Sequence, residues 1–86
     1  MKLEKFVDNL LSVGFIQNEK SMATNWYSNY INKKSVFVGI MGHEIDYLGH
    51  IVIELNIVDD NSDEHEEIEK TYLTTKGAWN AIKKLF

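Results

Sequence analysis

Three histidines and a dense row of carboxylates are the residues of this 86-residue chain whose types could do chemistry. His43 precedes Glu44, as in the helical zinc site where two histidines four residues apart share one face and the glutamate is the base. Position 47 is Tyr47 and the next histidine is His50, so that spacing fails. A looser set of His43, Asp46 and His50 lacks ligand spacing and reads as surface residues. Asp59, Asn61 and Asp63 match the first three ligand positions of a calcium loop. The glycine such a loop requires sixth, and the bidentate glutamate it requires twelfth, are here Glu64 and Lys70. No metal and no other cofactor is expected.

Covalent chemistry finds no better footing. There is no cysteine, which removes thiolate nucleophiles, disulfides and cysteine metal sites together. Ser12, Ser21, Ser28, Ser35 and Ser62 sit in no nucleophile elbow, and the five glycines form no phosphate loop. No catalytic residue is assigned, and the chain is expected to be no enzyme. A small metal-dependent or acid–base enzyme, with Glu44 beside His43 or His50, is the last-ranked alternative.

Charge is the distinctive feature. Seven of the 13 acids fall within residues 59–69, and no lysine lies there, so the rest of the chain has more lysines than acids. The acids are Asp59, Asp60, Asp63, Glu64, Glu66, Glu67 and Glu69. Their plain reading is a solvated turn between strands. Their sharper reading is a recognition surface for a basic groove, steered electrostatically and weakened by salt. Every formal cation is lysine; there is no arginine, the usual bidentate reader of guanine and phosphate.

The elements that would position these residues follow from periodicity. Leu3, Phe6, Val7, Leu10 and Leu11 recur at helical spacing, Gly14 is a stop tolerant of the left-handed conformation, and Phe15 folds back on the last turn. Aromatic and branched residues from Trp26 to Ile31 favour a strand. Asn32-Lys33-Lys34 reads as a turn, and Ser35 to Met41 as a strand near the sheet centre. Gly39 marks a bulge or a close approach. Residues 42–49 form a connection. His50 to Val58 is the clearest strand, with Ile51, Ile53, Leu55 and Ile57 on one face and His50, Val52, Glu54 and Asn56 on the other. Ile68, Lys70 and Tyr72 alternate with Glu69, Thr71 and Leu73 in a last strand, with a helix from Glu64 as the competing reading. Thr74 or Thr75 caps a final helix whose apolar face is Ala78, Trp79, Ile82, Leu85 and Phe86. Of Trp26 and Tyr27, alternation puts one on the outer face. With Tyr47, that residue can join a partner surface or a homodimer.

The expected fold is a single α+β domain over residues 1–86. It is a two-layer sandwich of three or four antiparallel strands, with an N-terminal and a C-terminal helix packed on one face. No apolar run approaches a membrane span. Glu4, Lys5 and Asp8 interrupt the apolar stretch a signal peptide needs, so a cytoplasmic location is expected.

Tyr72 to Gly77, leading into Ala78-Trp79, resembles the strand-to-helix junction after the wing of winged-helix regulators. The resemblance covers eight residues and lacks the upstream helical triad, since strands are read there. No DNA-binding residue is carried over from it; the alternative reading, a DNA-binding regulator, would use Lys33, Lys34, Lys76, Lys83 and Lys84. In size, acidity and an AT-rich residue bias, the chain resembles small phage or mobile-element inhibitors, of the anti-CRISPR or anti-restriction kind, and immunity proteins. That profile implies a protein partner that handles nucleic acid, bound through the seven acids and Tyr47, with no membrane and no direct nucleic-acid contact.

Overall fold

The computed structural model describes residues 1–19, 24–41, 51–59 and 66–86. The order is α1 (Leu3–Ser12), β1 (Ile16–Gln17), β2 (Thr24–Ile31), β3 (Lys34–Met41), β4 (Val52–Asp59), β5 (Glu66–Tyr72) and α2 (Thr75–Lys83). The strands form one antiparallel sheet of five in sequential order. The expectation of three or four strands was short by one. The addition is β1, two residues that pair with Tyr27 and Ser28, too short to show a period in sequence.

Helix α1 ends as glycine dictates. Gly14 has φ +103°, which a β-carbon would strain. The N–H of Phe15 donates to Leu10 O at 2.9 Å and that of Gly14 to Leu11 O at 3.2 Å. This is the Schellman pattern, and it turns the buried Phe15 onto Leu10. Asn29 Nδ2 then donates to Val13 O, tying β2 to the helix end. β2 and β3 join through Asn32 and Lys33, both with positive φ, and Ile31 faces Lys34 across the turn. Two left-handed residues give a hairpin the twist its strands need. The turn is anchored by Asn32 Nδ2, which donates to Leu85 O at 2.6 Å beyond the end of α2. Of the two threonines, Thr74 is the cap: its Oγ1 accepts from Gly77 N at 3.0 Å. Thr75 is buried and donates to Met1 O.

Register sorts the strand residues onto two faces. Val36, Val38 and Ile40 of β3 lie opposite Ile57, Leu55 and Ile53 of β4. All six are buried, and they share one core with Tyr27 and Ile31 of β2, Phe6 and Leu10 of α1, and Ala78 and Ile82 of α2. Burying such side chains is the main stabilising term. β3 is the central strand, as its continuous apolar run predicts. Phe86, expected on the apolar face of α2, lies past its end and is 55% exposed.

Among the described residues, both helices share their core with the first face and none packs on the second. Trp26 lies opposite Gly39 there and covers it: a β-carbon on Gly39 would stand 2.7 Å from the Trp26 ring. The close approach expected at Gly39 is therefore made by an indole. Gly39→Ala should push that ring off the sheet and destabilise by about 1–3 kcal/mol, a large share of the roughly 3–5 kcal/mol such a domain has. A lowered urea midpoint with red-shifted tryptophan emission checks this; an unchanged midpoint contradicts it.

Candidate interaction surface

Alternation gives the uncovered face its composition. It takes Ile16 from β1, Trp26, Ser28 and Tyr30 from β2, and Ser35, Phe37 and Met41 from β3. From β4 and β5 it takes Val52, Glu54, Asn56, Val58, Glu67, Glu69 and Thr71. Tyr30 is exposed, while Trp26 and Phe37 are half-buried. No strand residue on this face is a lysine. The strand lysines, Lys34 and Lys70, belong to the helix-covered face, where Lys34 stands opposite Asp59 and Lys70 opposite Leu55.

The acids of the open face crowd one another. Glu69 and Glu54 come from neighbouring strands and lie close enough to interact, and a hydrogen bond between them forms when one of them holds a proton. That bond, then the repulsion of a second negative charge and some desolvation, raises the Glu69 carboxyl above its ordinary 4.5. Asn56 stands opposite both Phe37 and Glu69. Its Oδ1 is buried and receives no hydrogen bond among the described residues. This patch is rich in acceptors and poor in donors. Burial in the core raises the Tyr27 hydroxyl above its ordinary 10.0, which keeps it neutral.

The structure divides the acidic segment that the sequence presents as one unit. Asp59, at the end of β4, lies on the helix side, and its register partner is Glu66 at the start of β5. Glu67 and Glu69 point to the open side, and both are exposed. Asp60, Asp63, Glu64 and Tyr47 lie outside the described residues, as do His43, Glu44, Asp46 and His50. The helix considered from Glu64 is not formed over Glu66–Tyr72, which is strand. Glu54 was missed as a site residue. Its outward parity on the clearest strand was legible, but its nearness to Glu69 depends on the β4–β5 register.

Clefts lined by described residues flank the sheet. One of about 240 Å³ lies between α2 and β4–β5. A shallower one of about 390 Å³ borders β1 and includes Ile16, Tyr30 and Phe37. Neither of these is lined by Glu54 or Glu69. Among the described residues no three potential ligands group for a metal, and no helix is long and apolar enough to cross a membrane. Lys33 and Lys34 at the hairpin are brought towards Lys83 and Lys84 by the Asn32–Leu85 bond, whereas Lys76 starts the opposite end of α2.

Comparison with known proteins finds no match to any family model, curated protein or solved structure. The functional reading therefore rests on the geometry above.

The Glu54–Glu69 pair has a pH signature. A carboxyl raised in the folded state binds protons more tightly than in the unfolded chain. Its contribution is therefore most favourable at acid pH and is lost as pH rises through the raised value. Glu69→Gln should become more stable relative to wild type as pH goes from 4.5, the ordinary glutamate value, up to neutrality. Urea midpoints of both proteins across that range check the sign; parallel curves contradict the pairing.

Proposed function

We propose that this chain is a small, acidic, non-enzymatic interaction module of the cytoplasm. Its partner is a nucleic-acid-handling protein with a basic surface, bound in the manner of a mobile-element inhibitor or an immunity protein. The carrying observation is the sheet face away from the helices, where Glu54, Glu67 and Glu69 gather without a strand lysine and Glu54 disfavours the charged form of Glu69. A lysine or arginine from a partner would relieve that repulsion with a charge-assisted hydrogen bond. The half-buried Trp26 and Phe37 and the exposed Tyr30 supply flat apolar area beside the acids, and aromatic faces also attract cations. Association of this kind is steered by charge and weakened by salt. The two-layer arrangement supports it: both helices share one core with one face of the sheet, leaving the other free.

One observation favours a second reading, DNA binding. The Asn32–Leu85 bond gathers Lys33, Lys34, Lys83 and Lys84 towards one end. Four clustered lysines would contact phosphate without sequence reading. The winged-helix resemblance adds no recognition helix, because the described segments between α1 and α2 are strands.

The two readings separate experimentally. Wild type and a Glu54→Gln, Glu67→Gln, Glu69→Gln variant are used side by side to capture proteins from lysate at low and moderate salt. Basic nucleic-acid-handling proteins should be retained by wild type and lost, with their salt dependence, from the variant. Equal capture by both contradicts the acidic-face reading. A duplex-DNA shift abolished by Lys33→Gln with Lys84→Gln would establish the second reading instead.

A further inference from the structure

β5 ends the sheet. Among the described residues it pairs with β4 alone, so one side of a seven-residue strand has no neighbouring ladder. Such an edge is a template for another strand. The opposite edge differs: β1 has two residues, and Asn18 N–H extends its cover of β2 by donating to Trp26 O at 2.8 Å.

A cleft lies beneath the open edge. It measures about 240 Å³ and is lined by Leu55, Ile57, Ile68 and Tyr72 of the sheet and by Ala81 and Leu85 at α2. Ile68 points to this side, yet 46% of it is exposed, so the apolar lining reaches solvent at β5. α2 packs over β4 and β5, and the cleft is the space left between them. Lys70 and Lys84 complete the lining, so the cleft is apolar with cations at hand. The other side of the same strand presents Glu67 and Glu69, with Glu54 behind them. The two sides of one exposed edge thus have opposite chemical demands, one residue apart.

We propose that β5 is a docking edge for an extended, basic segment of a partner protein, which adds to the sheet as a sixth strand. The inference rests on the basic-partner reading and specifies how that partner is held. Main-chain hydrogen bonds to β5 supply part of the affinity, and alternate side chains supply the selection. One set is apolar and enters the cleft. The other is lysine or arginine and lies beside Glu67 and Glu69. Lys70 and Lys84 repel cations from the cleft, so the segment must alternate apolar and basic residues and cannot merely be basic. A second copy of this chain fits poorly: antiparallel self-pairing of β5 that continues both faces of the sheet sets Glu69 against Glu69 or Glu67, and like charges across strands destabilise. Phosphate backbones are repelled by the same acids.

The test uses synthetic peptides of about ten residues, the length of a long strand, and isotope-labelled full-length protein. One peptide alternates valine and lysine. A second has the same composition in two blocks. A third alternates valine and glutamate. The alternating basic peptide should slow amide exchange along β5 and leave β1 unchanged. The block peptide should bind about tenfold more weakly, as should the alternating basic peptide to Ala81→Trp, which fills the cleft, or to Ile68→Lys, which charges its mouth. Ile68 is exposed enough that its variant should fold, as circular dichroism will verify, so the test stands even if Ala81→Trp does not. Equal binding of both basic peptides without β5 protection overturns edge docking. If that binding is lost from the Glu54, Glu67 and Glu69 variant, the basic-partner reading survives its failure. Binding of the acidic peptide in preference to the basic ones overturns both.

Discussion

Two short helices can cover only one face of a five-stranded sheet, and the rest of this structure depends on that constraint. Antiparallel strands alternate their side chains, so each strand must commit one parity to the helices and one to water. β3 and β4 commit Val36, Val38, Ile40, Ile53, Leu55 and Ile57 to the covered side. A slip of one residue would turn Glu54 and Asn56 into the core. The Schellman turn at Gly14 sets the chain's entry to β1, and the hairpin at Asn32 and Lys33 sets its passage from β2 to β3 so that this parity is kept.

The open face is consequently built without a covering layer. It closes where it can with its own side chains, as Trp26 closes over Gly39. Elsewhere it keeps polar groups in water. The outcome is an uneven charge by face along the strands, with Glu54, Glu67 and Glu69 and no lysine on the open side, and Lys34 and Lys70 beside Asp59 on the helix side. In β5 that difference is drawn residue by residue, since Glu69 and Lys70 are neighbours in sequence and opposite in direction. The strand's own acids make it a poor partner for its copies and a favourable one for cations.

Much of the fold was legible. The apolar stripe from Leu3 to Leu11 and the stop at Gly14 gave α1, and the branching of Val36 to Met41 gave the central strand. The alternation of Ile51 to Ile57 gave the sidedness of β4. β1 was illegible because two residues carry no period and its pairing is made by Ser28 and Tyr27, eleven or so residues away in sequence. The site was legible only in part. Glu67 and Glu69 stood out by composition, but counting acids along the chain joined them to Asp59, which the pleat sends to the other face. Glu54 carried no local signal of its own, since a lone outward glutamate on a strand is ordinary. It becomes significant only through the register that brings Glu69 beside it.

Uneven charge by face is the central claim, and a local measurement of potential tests it most directly. Amide-proton relaxation is compared in the presence of a cationic and a neutral paramagnetic cosolute of the same size. Amides around Glu54, Glu67, Glu69 and Thr71 should be relaxed more strongly by the cationic probe, while those near Lys34, Lys83 and Lys84 should be relaxed less strongly by it than by the neutral one. Equal ratios on the two faces would contradict the account and remove the physical basis for a cationic partner at the open side of the sheet.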